Sequence, residues 1–382
     1  MWFSTCGRWW KVSDILRSVE TIDAWLGRTL AIGRAGEAPP LNADAILSIA
    51  GGHRVDVLLA DLFLRAPSGP EPFSRGPLED IVRLAAAREL AVSRDVSRLL
   101  EAADRAGLDL LLLKGTALAY THYQQPHLRP RNDIDLFVRQ ADIGRAEAVL
   151  SALGFARAAE PDAGLWTAQR HYAKTSPAVT SHVDLHWRVV NPQVFAGVLL
   201  FDDVWGRSVS VASLGPFART LAPADTLLLA CVHRVAHHQD RVNLLWLWDV
   251  HLVASGLSPA GWEQCVAAAA AARVQGICAR GLALAHECFG TSVPDAVRQT
   301  LGAARHEPAA SFLGAGLRTV DVARADLAAL TSWRRKLALA REHLCPPLAY
   351  MRVRYPGCPP VLLPFAYVHR AVRGAPKWFE RM

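Results

Sequence analysis

Residues 110–138 read LLLLKGTALAYTHYQQPHLRPRNDIDLFV, and the reading of this stretch decides the fold. The apolar run from Leu110 to Leu113 predicts a buried strand ending at Lys114-Gly115. Helix-compatible sequence follows from about Thr116 to Tyr123, and residues 124–131 form a loop rich in Pro and Arg. Residues 132–138 then alternate acid and apolar, which is strand periodicity. Side chains two apart on a strand share a face, so Asp133 and Asp135 point the same way. Neighbouring carboxylates repel and raise one another's pKa, and a divalent cation relieves that repulsion. Hard oxygen ligands so placed suit Mg²⁺ that also holds phosphates.

A D-x-D pair alone is more often a solvated edge strand than a site, so a further acid is needed. Residues 181–187, Ser-His-Val-Asp-Leu-His-Trp, supply it: another alternating strand with Asp184 between apolar neighbours. At this point three segments resemble the uncharacterised bacterial nucleotidyltransferases of the polymerase-β-like superfamily. That group reads K-G-x-x-L, R-P-x-x-D-I-D-L-x-V and V-D-L-H-W. Here the first is Lys114-Gly115-Thr116-Ala117-Leu118, the second runs from Arg129 to Val138, and the third from Val183 to Trp187. The resemblance covers about 81–254. The wider superfamily prefers Gly-Ser or Gly-Gly at the first turn; this chain has Lys114-Gly115-Thr116, as its subgroup does.

The resemblance implies an α+β fold, a small mixed sheet flanked by helical N- and C-terminal regions. It implies Mg²⁺, or Mn²⁺ in its place, held by Asp133, Asp135 and Asp184. One ion activates the attacking oxygen and the other steadies the leaving pyrophosphate. Asp184 would lie nearest the attacking hydroxyl and take its proton. The expected donor is an NTP, ATP first, and the acceptor is a small molecule, peptide or protein. The alternatives are phosphoryl transfer at the same clamp and a non-catalytic nucleotide- or partner-binding module that kept the fold. The intact acid trio favours chemistry.

The residues around the acids have their own readings. Gly115 and Thr116 sit where strand turns to helix, where free N–H groups and the helix dipole favour a phosphate; an ordinary glycine turn is the competing reading. Lys114 pairs with a phosphate or an acid, or is buried on the strand. Arg129 and Arg131 precede the D-x-D, and guanidinium forks suit triphosphate oxygens. Further on, His233 and His237 share a helical face, but no third ligand falls in zinc-site register. His233 or Arg234 is expected to face the nucleotide or acceptor from a helix over 224–239 that covers the mouth of the sheet. His186 shares the strand face of Asp184, and Asp249 is expected to join two helices.

The chain has 382 residues, 51% hydrophobic and 20% charged, which is globular rather than disordered composition. A net charge of +7 suits a polyanionic ligand such as an NTP; no Lys/Arg block with interleaved aromatics marks a nucleic-acid groove. Seven cysteines with no C-x-x-C spacing read as free thiols of a reducing, cytoplasmic setting. No signal peptide and no spanning segment are read. The expected organisation is a helical region over 1–106 capping the sheet and a catalytic unit over 107–221. A helical domain over 222–345 and a Pro-rich basic tail over 346–382, chopped into short pieces, complete it.

Overall fold

The computed structural model describes residues 12–33, 39, 41–66, 72–158, 165, 167–177, 179–303, 307–314 and 316–380. The first described helix of the region expected to be helical over 1–106 is Val12–Ile32, and residues 1–11 of that region, with one of the seven cysteines, Cys6, lie outside the described residues.

The strands are β1 (Leu111–Leu112), β2 (Ile134–Phe137), β3 (Ala156–Arg157), β4 (Gln169–Thr175), β5 (Thr180–His186), β6 (Val209–Ser210) and β7 (Arg219–Thr220). They form one sheet in the order β3-β4-β5-β2-β1-β7-β6. The sheet is mixed: β2 runs parallel to β5 and β1 to β7, and the other neighbours are antiparallel. The expected α+β class is therefore what the chain adopts, and β6 and β7 pair as an antiparallel hairpin.

Strand alternation sorts the apolar residues onto two faces. Leu112, Ile134, Leu136, Val183 and Leu185 pack against Leu99 and Leu100 of the helix Arg75–Arg105 and against Leu150 of the helix Ile143–Ala152. Leu111, Leu113 and Phe137 face the other way, into a core shared with the helix Pro223–Ala236. Asp135 and Asp184 fall in that second register, so the acids point toward the helical half of the molecule.

Two expectations about the flanks are corrected. The N-terminal helices do not simply cap the sheet. Ile22, Trp25 and Leu26, with Ile46, Leu59 and Phe63, pack on Leu244, Leu245 and Leu247 of the helix Leu244–Ser255 and on Leu284 and Phe289 of the helix Gln275–Phe289. Among the described residues, the N-terminal helix that packs into the sheet core is Arg75–Arg105; an apolar stripe demands burial without naming its partner. The tail, in turn, is not all short pieces: Leu363–Phe379 is a helix of 17 residues. Pro364 sits in its first turn, where the missing N–H costs nothing, and Pro376 lies near its end.

The N-terminal packing is close. A Cβ on Gly27 would stand 2.7 Å from the Cys288 carbonyl oxygen, a backbone atom that cannot swing aside. Gly27→Ala is expected to destabilise the protein by about 1–3 kcal/mol, the usual cost of overpacking. A urea midpoint unchanged from wild type would show that the two helices part freely.

Among the described residues no helix is long and apolar enough to cross a membrane.

Candidate functional site

Parallel pairing of β2 with β5 puts Asp135 directly opposite Asp184, and Phe137 opposite His186. Ligand atoms of Asp135, Asp184 and His186 lie within 4.8 Å of one another. Asp133 stands two residues before Asp135, just ahead of β2, and is coupled by charge to both other acids. Asp135, Asp184 and His186 thus meet on one face of two neighbouring strands, and Asp133 acts on them through charge from just ahead of β2.

Their electrostatics differ, and the difference comes from Lys114. Its Nζ donates to Asp135 Oδ1 at 2.8 Å. His186 Nε2 lies 2.9 Å from the same oxygen. Burial alone would raise the pKa of Asp135, but the Lys114 ammonium and the His186 hydrogen bond hold it well below the usual carboxylate range. Asp133 has no such partner. Burial, then the charges of Asp135 and Asp184, push it up to about 6 against the weaker pull of Lys114 and Arg54. The expectation that the two D-x-D carboxylates raise each other therefore holds for Asp133 and fails for Asp135.

His186 is fully buried, and burial followed by the Lys114 charge lowers its pKa, so the ring is neutral. One nitrogen cannot both donate to Asp135 and accept from Lys114, which stands 3.3 Å away. We assign the proton to Nε2, facing the carboxylate, because a charge-assisted hydrogen bond is the stronger one. Nδ1 then carries a buried lone pair with no hydrogen-bond partner.

Lys114 reaches this position through its backbone. It opens the helix Lys114–Thr121 with φ 48°, in the left-handed region, which for a residue with a Cβ costs on the order of 1–3 kcal/mol. The expected strand end and helix start, Lys114 and Thr116, merge into this one turn. Gly115 follows because the loop arginines pass over it: a Cβ there would stand 3.3 Å from Arg129 Nη1 and from Arg131 Cβ. Thr116 is buried, and its hydroxyl donates to the Asp133 carbonyl at 3.3 Å. What meets the Gly115–Thr116 turn in this structure is the protein's own 126–131 loop.

The two loop arginines do not offer open forks. Arg129 Nε and Nη2 grip Asp249 at 2.8 and 2.6 Å, and Tyr123 donates to the same carboxylate at 2.7 Å. Arg131 holds Glu89 in the same two-pronged way, at 2.6 and 2.8 Å. Both guanidiniums are buried. In this structure both arginines are engaged in ion pairs that clamp the loop before β2, and Asp249 serves that loop rather than a second helix. Arg234 is turned away as well: it is fully buried and ion-paired with Asp240. His233 is placed beside Lys114 rather than against the acids. It lines a small cavity of about 40 Å³ with Lys114, Arg129, Trp246 and Asp249. Burial, then Lys114 and the neighbouring histidines, keep it neutral.

Three contributors were missed by sequence reasoning. His171 Nδ1 lies 2.5 Å from Asp184 Oδ1, and Gln169 Nε2 lies 3.4 Å from Oδ2. The signal for these was present, since residues 169 and 171 alternate on one strand. Arg54, from the turn after the helix Ala43–Gly52, donates to the Pro130 carbonyl at 3.2 Å and acts on the Asp133 charge. Nothing local marks Arg54, because its partners lie 76 and more residues away.

The sequence model of a family described as "Uncharacterised nucleotidyltransferase" matches residues 39–290, about two thirds of the chain. No curated protein matches it.

Proposed function

The chain belongs to that uncharacterised nucleotidyltransferase family, and from this premise we propose that it moves a nucleoside monophosphate from an NTP, ATP first, to an acceptor. The acceptor is a hydroxyl, amine or phosphate on a small molecule, peptide or protein. The observation that carries the reading is the register of Asp135 against Asp184, with Asp133 beside them and His186 in ligand range.

The donor set suits a divalent cation. Three carboxylates and a neutral imidazole are hard or borderline ligands. Burial first, and then the charges of Asp135 and Asp184, hold the Asp133 pKa up, and a cation would offset those charges. His186 has a buried nitrogen without a partner. Asp133, Asp135 and Asp184 would hold Mg²⁺, or Mn²⁺ in its place. Bound there, the cation supplies charge neutralisation for the triphosphate and the departing pyrophosphate.

The remaining roles fall to side chains. The acceptor oxygen or nitrogen attacks the α-phosphorus, the bond to the bridging oxygen breaks, and pyrophosphate leaves. Asp184 takes the acceptor's proton and shares it with His171 across their hydrogen bond. Lys114, whose ammonium neutralises Asp135 in this structure, would bind a phosphate oxygen where a cation took over that neutralisation. His233 excludes water from the wall behind Lys114.

Lys114→Gln is expected to raise Mn²⁺ affinity in the absence of nucleotide by about tenfold, since a unit charge a few ångströms away opposes the ion. Titration followed by electron paramagnetic resonance measures it, and an unchanged affinity would place the ion elsewhere. The activity itself is tested by incubating the protein with α- and γ-labelled NTPs, Mg²⁺ and a cell lysate. Transfer of the α label is the expected result. Transfer of the γ label instead identifies a phosphoryl transferase, and transfer of neither in any lysate removes the enzymatic reading.

A further inference from the structure

Residues beyond the family match carry a feature that nucleotidyl transfer does not use. Of the chain's 42 Lys/Arg and 35 Asp/Glu, residues 331–382 hold ten and two. The whole positive excess of +7 therefore lies in this segment, and the rest of the chain is near neutral. The same segment holds exposed apolar side chains in regular helical spacing. On the helix Leu363–Phe379, Phe365 is 71% exposed, Val368 62%, Val372 68% and Phe379 65%. Steps of three, four and seven put these four on one stripe. Leu363 and Ala366 on the opposite side are buried against Met351. Trp333, Leu337 and Leu344, spaced by four and seven, make a second exposed stripe on the helix Trp333–Leu344.

We propose that this C-terminal segment seats the protein on an anionic membrane surface, with the apolar stripes entering the headgroup–acyl boundary and the flanking cations meeting lipid phosphates. The charge argues for the partner. A basic helix with aliphatic and aromatic residues along one exposed side is the pattern of an interfacial anchor. An apolar patch of this extent on a soluble surface marks a contact site. Nucleic acid would use the cations but leaves Val368, Val372 and Leu337 with no partner, whereas acyl chains cover them. A headgroup has a place to enter. An open cleft of about 810 Å³ beside the Leu363–Phe379 helix is lined by Arg354, Arg370 and Arg373 with Tyr350, Tyr355 and Trp378. No carboxylate stands among its lining residues. Arg370 is fixed there by the His343 carbonyl at 3.0 Å and by the face of Tyr350. The consequence for the proposed chemistry is an acceptor met at the membrane surface, but the seating itself does not depend on that chemistry.

The test is co-sedimentation of the full chain with phosphatidylcholine vesicles, with and without about 30% phosphatidylglycerol, at about 0.1 M salt. Expected is binding at least roughly tenfold tighter to the anionic vesicles. Phe365→Ser/Val368→Ser/Val372→Ser should weaken it at least about tenfold with an unchanged melting temperature. If the triple variant melts early, Phe365→Ser alone and Arg373→Glu carry the test, each lowering vesicle binding roughly fivefold or more. Four results overturn the proposal. One is a chain that stays in the supernatant with both vesicles. Another is vesicle binding unaltered in the apolar variants. The third is tighter binding to an oligonucleotide than to anionic vesicles, which assigns the cations to nucleic acid. The last is a wild-type dimer that the triple variant turns into a monomer, which assigns the stripe to a second copy.

Discussion

Asp135→Asn is expected to abolish nucleotidyl transfer and weaken the fold, while Asp133→Asn abolishes transfer and strengthens the fold above pH 6. The loss of transfer should be on the order of a thousandfold in each, the scale for a group that acts on developing charge. The stability effects have opposite signs because the two carboxylates have opposite surroundings. Asp135 accepts from Lys114 and His186, and both partners are nearly or fully enclosed. Neutralising it strands the Lys114 ammonium, at about 3 kcal/mol. Asp133 has a folded pKa near 6, above an unfolded value of about 3.9. An acid shifted upward contributes stability only while protonated, so its contribution is complete below about pH 4 and is lost as pH rises through 6. At pH 7.5 the wild type carries the full penalty, at most about 3 kcal/mol, and the Asn variant does not. Urea unfolding of apo protein between pH 4 and 8 reads both. Parallel curves for wild type and Asp133→Asn would mean that Asp133 is not strained by its neighbours.

A second large effect is expected at the loop clamp. Asp249→Leu should cost about 3–5 kcal/mol, because it leaves the buried Arg129 guanidinium without its two-pronged partner. It also takes the acceptor from Tyr123. Arg129→Met/Asp249→Leu should recover most of that loss, since two apolar side chains in one buried place leave no stranded charge. The coupling energy from the double-mutant cycle reports the pair directly. A cycle that closes near zero would show that Arg129 keeps the loop in place without Asp249.

How far the sequence carried the reading follows from the range of each interaction. The alternation of residues 132–138 and 181–187 is local, so both acid strands were legible. Their parallel pairing, which sets Asp184 against Asp135, is not local, and periodicity could not give it. Lys114 was left between phosphate, acid and burial because its position depends on φ 48°, a backbone state that a lysine does not advertise. Arg129 and Arg131 look like any loop arginines until Asp249 and Glu89 arrive from 120 and 42 residues away. Arg54 was invisible for the same reason. In the tail, seven prolines led to the reading of short pieces, and the three-and-four spacing of Phe365, Val368 and Val372 was passed over. A proline in a first turn does not stop a helix, and the spacing was the better guide.

The central claim is that Asp133, Asp135 and Asp184 hold a cation that carries the nucleotide. Thermal melts of wild type and Asp135→Asn with and without Mg-ATP test it most directly, each compared with its own apo protein. A ligand present at about a hundred times its Kd stabilises the folded state by about 2.7 kcal/mol, so the wild type should melt several degrees higher with Mg-ATP and Asp135→Asn should not shift. An equal rise in both proteins would contradict the claim.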